Sequence, residues 1–312
     1  MSDSPAPFCN VLSLDGGGAK GFYTLGILSE VEALLGGRLH EHFHLIFGTS
    51  TGAIIAALLA TGRRVAEVQA LYAEHVVKIM RPRSAARKTA ALEEAAKAVF
   101  GGLTFRDVKT GVGIIATRWT TERPMIFKGS VAQAHGRVAT FEPGFGCTIA
   151  DAVVASCSAF PFFKRKTVTT TAGDHVELID GGYCANNPTL YAIADATVAL
   201  EHAHEDVRVL SLGVGSYPTP TKAVLSGDWF TQRLLSVQLL QKTLEINTTS
   251  MEQLRTVLFK HVPTERISDG FTQPEMATDF FEHDLSKLNV LQQRGRESFA
   301  AREQAIRNLF GL

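Results

Sequence analysis

The sequence is short of the residues that build covalent or metal-held scaffolds. Its four cysteines (Cys9, Cys147, Cys157, Cys184) are scattered without disulfide or metal-ligand spacing, which predicts reduced thiols in a cytosolic protein. It has no charge of one sign to spare: 31 basic and 31 acidic residues cancel, so no global field draws the chain to nucleic acid. No apolar run approaches the ~18 residues of a membrane span. The opening MSDSPAPF lacks the basic and apolar regions of a signal peptide. Repeats and low-complexity tracts are absent too. What is present is ordinary for a soluble globular protein, with 45% hydrophobic and 20% charged residues and length enough for one large domain or two.

One stretch organises the rest: Phe47 to Gly62, FGTSTGAIIAALLATG. Gly48-Thr49-Ser50-Thr51-Gly52 fits G-x-S-x-G, the turn in which a strand reverses into a helix and leaves a serine at the apex. His42 to Phe47 reads as a short apolar strand and Ala53 to Ala60 as a small-residue helix. Ser50 then stands at a helix N-terminus, where free backbone N–H groups favour developing negative charge. The same five residues also fit a turn whose serine merely caps the helix.

Upstream, Asn10 to Asp15 reads as a buried strand, followed by Gly16-Gly17-Gly18-Ala19-Lys20-Gly21 and a helix that ends at Gly36-Gly37. This is formally G-x-G-x-x-G after a strand. A dinucleotide site needs an acidic residue at the end of the second strand, and that strand runs instead into Phe47-Gly48-Thr49-Ser50. A P-loop fails because Gly21, not Ser or Thr, follows Lys20. Exposed N–H groups beside a nucleophile can also form an oxyanion hole, and a serine elbow on the next strand fits that use best. His40, His42 and His44 alternate, as strand-entry polar residues or one face of a metal site; no further ligand run completes the latter.

A helical period runs from Val65 to Ile79, and Pro82 ends it. Arg81, Arg83, Arg87 and Lys88 form a basic patch without nearby acids, a solvated loop or a contact for phosphate groups. A short helix over Ala90 to Phe100 follows, then strands at Gly113 to Thr117 and Pro124 to Phe127. Thr148-x-x-Asp151 is a capping-box pattern opening a helix, Ile149 to Ser156. Phe160 to Lys166 (FPFFKRK) is either an interfacial anchor or aromatic pocket wall with a solvated basic run. Thr167 to Thr171 and Val176 to Ile179 bracket a hairpin turn. The second strand ends in Asp180-Gly181-Gly182, a carboxylate with room for close approach. Asn186-Asn187-Pro188 starts a helix, and Val207 to Leu212 is a further strand. Beyond Gly215, Pro218 and Pro220 mark a loop. The remainder reads as helical, with Leu235, Leu239 and Leu240 in one helix and Phe299 to Phe310 in another, packed on the sheet or mediating self-association.

Taken together and in this order, VLSLDGGGAKG, GTSTG and IDGGYCANNP resemble the patatin-like phospholipase family over roughly residues 10–215. The resemblance implies a three-layer α/β fold with a mostly parallel central sheet flanked by helices; beyond its reach, residues 216–312 read from their own pattern as a mainly helical region. The resemblance also implies Ser50 as nucleophile, Asp180 as base, and the N–H groups of Gly16, Gly17 and Gly18 as an oxyanion loop, with Lys20, Gly21, Gly48, Gly52, Gly181 and Gly182 completing the motifs. Lys20 departs from the arginine common in the family, keeping the charge and losing the planar fork. A lipid acyl ester substrate in membrane phospholipids, no cofactor and no metal requirement follow from it, with action at the inner membrane surface. Overall size and the GTSTG form further resemble bacterial antiphage effector phospholipases switched on by cyclic nucleotides, for which Arg81, Arg83 and Arg87 are the candidate ligand residues. Two rivals stand beside this reading. One is an α/β-hydrolase esterase with a Ser-Asp-His triad drawing on His202, His204, His261 or His283. The other is a non-enzymatic nucleotide-binding module using the glycine loop.

Overall fold

The computed structural model describes residues 8–218 and 228–312, with only the helical backbone given for 228–235. Pro220 and the side chain of Leu235 therefore lie outside the described residues. In chain order the elements begin with β1 (Cys9–Leu14), α1 (Gly21–Leu35), β2 (Leu45–Thr49), α2 (Thr51–Ala60), α3 (Val65–Met80) and α4 (Ala85–Phe100). Next come β3 (Gly111–Arg118), β4 (Pro124–Lys128), α5 (Ile149–Ser156), β5 (Lys166–Thr169), β6 (His175–Asp180), α6 (Gly182–Ala185) and α7 (Thr189–Ala194). The chain closes with β7 (Val207–Leu212), α8 (Asp228–Leu258), β8 (Thr264–Ile267), α9 (Leu285–Ala300) and α10 (Glu303–Phe310).

The central strands are apolar at successive positions, and successive side chains on a strand point to opposite faces. Leu12, Leu14, Ile46, Leu210 and Leu212 enter one core with α1 to α5, α9 and α10. Val11, Leu45, Phe47, Val207 and Val209 enter a second core with α6 and α7. A sheet apolar on both faces must be covered on both, which gives three layers. The strand order is β5-β6-β3-β2-β1-β7-β8, with β4 paired to β3. Pairs β1–β2, β1–β7, β2–β3 and β7–β8 are parallel, whereas β4 and β6 run antiparallel to β3.

That last pairing builds the site. β2 occupies one edge of β3 as far as Thr49↔Ile115, and β4 occupies the opposite edge. β6 pairs β3 at Ala116↔Asp180, a residue whose other edge is already held by β4. β2 and β6 therefore share one edge of β3 and end head to head. Ser50 and Asp180, at those two ends, are brought together by register. Asp180 thus arrives on an antiparallel strand at the carboxyl end of parallel β2.

Three further differences have local causes. The second strand begins at Leu45 and not His42, because Leu39–Glu41 is a 3₁₀ turn in which the Glu41 carboxylate accepts the Arg38 N–H at 2.9 Å. The three histidines consequently share no strand face, and among the described residues no group of three His, Cys, Asp or Glu side chains could hold a metal ion. α4 starts at Ala85, since the Ser84 hydroxyl caps it by accepting the Arg87 N–H at 3.3 Å, so Arg87 and Lys88 belong to its first turn rather than to a loop. Finally, Thr264–Ile267 extends the sheet beside β7, a strand the sequence reading of the C-terminal region omits. α9 returns across α1, where a side chain on Gly26 or Gly295 would collide with the partner helix backbone.

Candidate active site

Ser50 leaves β2 with φ +51° and ψ −118°, and α2 begins at the next residue. A non-glycine residue held there carries strain of roughly 1–3 kcal/mol, and the surroundings fix it. The Ser50 N–H donates to Ser156 Oγ at 2.8 Å, and that hydroxyl donates to the Ile115 carbonyl at 2.5 Å. The turn is tight enough that a Cβ on Gly52 would meet the Leu14 carbonyl and one on Gly48 the Gly52 carbonyl. Glycine at these two places is what lets strand and helix pass.

The Ser50 hydroxyl donates to Asp180 Oδ2 at 2.8 Å, and the Gly182 N–H donates to Asp180 Oδ1 at 2.7 Å. Asp180 is 2% exposed. Burial pushes its carboxyl up to about 7, against the opposing pull of the hydrogen bonds from Gly182 and Ser50. Its neighbour Gly181 lies against the backbone of Ile115. A carboxylate so placed can accept a serine proton near neutral pH, which an aspartate of ordinary pKa, about 3.9, does poorly.

The glycine loop sits beside the hydroxyl but does not offer three donors. The Gly16 N–H is engaged by the Asn186 carbonyl at 3.0 Å, while the Gly16 carbonyl accepts from Asn186 Nδ2 at 3.2 Å. Gly16 is therefore a clamped support, a correction to its expected role as a donor. Among the described residues the amides of Gly17 and Gly18 have no hydrogen-bond partner, and both glycines line the cavity that holds Ser50 and Asp180. In a trans peptide the Gly17 N–H points away from the pinned Gly16 carbonyl. Gly18, at φ +59°, has its carbonyl held by the hydroxyls of Thr51 and Tyr72. Gly21 opens α1 against Thr51 and Tyr72. Asn186 escaped the sequence reading as a site residue. The only signal was Asn-Asn-Pro following the Asp-Gly-Gly motif, read there simply as a helix start.

The cavity measures about 50 Å³, and an apolar neighbour of about 40 Å³ shares Ile54, Tyr72, Val76, Ile79 and Leu92 with it. Leu240 and Leu244 of α8, with Phe280 and Phe281, complete its lining. Phe163 is part of the wall. Arg165 and Lys166 beside it are paired to Glu177 at 3.2 Å and Asp151 at 3.0 Å. Among the described residues no histidine lines this cavity. Lys20 is buried, its ammonium over the Phe280 ring at 4.6 Å. Arg81, Arg83 and Arg87 are exposed at the corner between α3 and α4 and line neither this cavity nor the larger one between the glycine loop, α8 and β8.

A profile of the patatin-like phospholipases matches residues 12–193, more than half of the chain. The chain belongs to the patatin-like phospholipase family. It is a hydrolase of ester bonds with the α/β architecture that family implies. Among its relatives is the cUMP-AMP-activated phospholipase of Escherichia coli, 65% identical over 96% of this chain and 93% of that protein. The cGAMP-activated phospholipase of Pseudomonas aeruginosa is 31% identical over 66% of this chain and 62% of that protein. Among solved structures, VipD from Legionella pneumophila superposes with a TM-score of 0.50 at 13% identity, over 99% of this chain and 67% of that one, a likeness of fold. Family membership sets aside the α/β-hydrolase family and the non-enzymatic nucleotide module.

Proposed function

We propose that this patatin-like phospholipase releases fatty acid from membrane phospholipids through a Ser50–Asp180 dyad, and that a cyclic nucleotide switches it on. The observation that carries the dyad is the 2.8 Å hydrogen bond from Ser50 Oγ to a carboxylate buried enough to titrate near 7. Asp180 takes the hydroxyl proton as Oγ attacks the acyl carbonyl carbon. The carbonyl oxygen becomes an oxyanion facing the Gly17 and Gly18 amides. Collapse breaks the ester bond, Asp180 returns its proton to the departing alcohol, and the acyl group stays on Ser50. Water then surrenders a proton to Asp180 and attacks the acyl carbon, and as the acyl–Oγ bond breaks Asp180 passes that proton to Ser50 Oγ, freeing the fatty acid and restoring the dyad. The apolar side chains beside Ser50 are the surface an acyl chain would take.

Switching is supported by the relatives named for cyclic-nucleotide activation and by the closed site. A cavity of about 50 Å³ is far below the roughly 300–1,000 Å³ of ligand-holding pockets, so α8 and the Phe280–Phe281 pair must shift before a lipid enters. A defensive role against phage, exerted at the inner membrane surface, is the biological setting that suits such a switch. Incubating the protein with mixed bacterial phospholipids, with and without a panel of cyclic nucleotides, tests the reading through the products. Free fatty acid should appear chiefly with one cyclic dinucleotide; equal release without any nucleotide would remove the switch, and no release of acyl groups under any condition would remove the phospholipid.

The base must be ionised to work. Turnover of a soluble ester should therefore fall as pH drops through about 7 and level off above it. A profile flat from pH 5 to 8 would take Asp180 out of the proton transfer.

A further inference from the structure

A second, larger cavity of about 610 Å³ lies between the glycine loop, α8 and β8. Leu244 and Phe280 line both it and the Ser50 cavity, so these two side chains form a shared wall. Its volume is within the range of about 300–1,000 Å³ seen for small-molecule sites. Its lining is mixed: the cations Lys20 and Arg266, the carboxylates of Asp15, Glu245 and Glu252, and the neutral polar side chains Asn186, Thr248, Thr249 and Ser268 stand among apolar ones such as Leu244 and Phe280.

The charge in this cavity is incompletely met. Lys20 has a side chain 1% exposed, and the closest carboxylate oxygen, from the half-exposed Glu245, is 3.7 Å away. Its ammonium rests on the rings of Phe280 and Tyr217, and burial pulls its pKa down. A buried cation so loosely paired gains from a closer anion. Arg266 is better satisfied, holding Asp15 at 2.5 Å and the Ser211 hydroxyl at 2.7 Å. Glu252, 3.8 Å from Arg266, is shared with Arg255 at 2.6 Å. Asp15 and Glu252 are thus occupied by guanidinium groups, while Lys20 has Glu245 at 3.7 Å and the more distant charge of Asp279, with no carboxylate in close contact. Around it stand hydroxyls and an amide that can donate to or accept from sugar and base edges.

We infer that this cavity is the effector site and takes a cyclic dinucleotide, one phosphate displacing the Glu245 carboxylate from Lys20. The inference rests on the activation proposed above and assigns it a place. Glu245 and Leu244 are adjacent on α8, so a ligand that takes Lys20 acts on the helix that roofs Ser50. α8 also holds Asn186, through Asn247 Oδ1 at 2.8 Å and Thr248 Oγ1 at 2.8 Å. Asn186 in turn pins both sides of Gly16, which links the helix to the aim of the Gly17 amide. Binding and catalysis are joined by one helix and one asparagine.

Calorimetric titration of the full chain with cUMP-AMP and with cGAMP tests this, alongside activation of ester turnover. Thr249→Trp fills the cavity from an exposed position on α8 and should weaken binding of the activating nucleotide at least about 100-fold (2.7 kcal/mol), with melting showing an intact fold. Glu245→Gln should instead tighten binding by about 3–10-fold, because it removes the anion that competes with phosphate; a merely structural Glu245 gives no gain. The combined Arg81→Ala, Arg83→Ala, Arg87→Ala variant should bind as wild type. Unchanged binding by folded Thr249→Trp, or weaker binding by Glu245→Gln, overturns the site while leaving activation intact, and loss in the triple variant moves the ligand to the α3–α4 corner. If wild type neither binds nor responds to any nucleotide of the panel, the activation reading falls and the site with it.

Discussion

Asp180→Asn should lower kcat by about 10³–10⁴-fold and at the same time make the protein more stable at pH 8. Loss of the base accounts for the first effect. The second follows from linkage. The carboxyl is raised from about 3.8 to about 7 by folding, so between those values the folded state binds a proton that the unfolded state has lost. Stability is highest below the lower value, falls as pH rises through the window, and stays at its lowest above 7. Asparagine carries no such charge. It keeps an oxygen for the Gly182 N–H, and its amide can donate to Ser50 Oγ. The gain is on the order of a few kcal/mol at pH 8, a rise of roughly 5 °C in Tm, shrinking towards pH 4. Melting curves of the two proteins at pH 4 and pH 8 measure it. A variant less stable than wild type at pH 8 would show that Asp180 is held as a stabilising anion and not as a desolvated base.

Ser50→Ala should lose at least about 10⁴-fold of turnover, no less than Asp180→Asn, and behave oppositely in stability. It removes a donor from the Asp180 carboxylate without relieving the φ of +51°, since alanine is no freer there than serine. The cost is about 1 kcal/mol at pH 8. A fluorophosphonate probe should label wild type and not this variant. Labelling that persists in Ser50→Ala would assign the nucleophile elsewhere.

Much of this was legible in the residue order. The G-x-S-x-G turn announces its own geometry, because only glycine at positions 48 and 52 lets β2 fold back into α2 past Leu14. The Asp-Gly-Gly motif marked the carboxylate in the same way. Other features were hidden because they depend on residues far apart in sequence. That β6 runs antiparallel and meets β2 end to end is a property of the β3 register, and no local pattern encodes it. The engagement of the Gly16 amide by Asn186 spans 170 positions. β8 is a four-residue strand, TERI, too short and too polar to declare itself. The Phe160–Lys166 segment was ambiguous for a related reason: Phe163 turns to the cavity, while the charges of Arg165 and Lys166 are met by Glu177 and Asp151, partners on other elements.

The central claim is that the proton moves between Ser50 and Asp180 with no histidine involved. Fatty-acid release from phospholipid vesicles, read by mass spectrometry under the condition of highest wild-type turnover, tests it most directly when wild type is compared with Asp180→Asn and with His202→Ala, His204→Ala, His261→Ala and His283→Ala. The dyad predicts that Asp180→Asn alone falls silent and that each histidine variant keeps most of the wild-type rate. A folded histidine variant that releases no fatty acid, or an Asp180→Asn enzyme that still does, would contradict it.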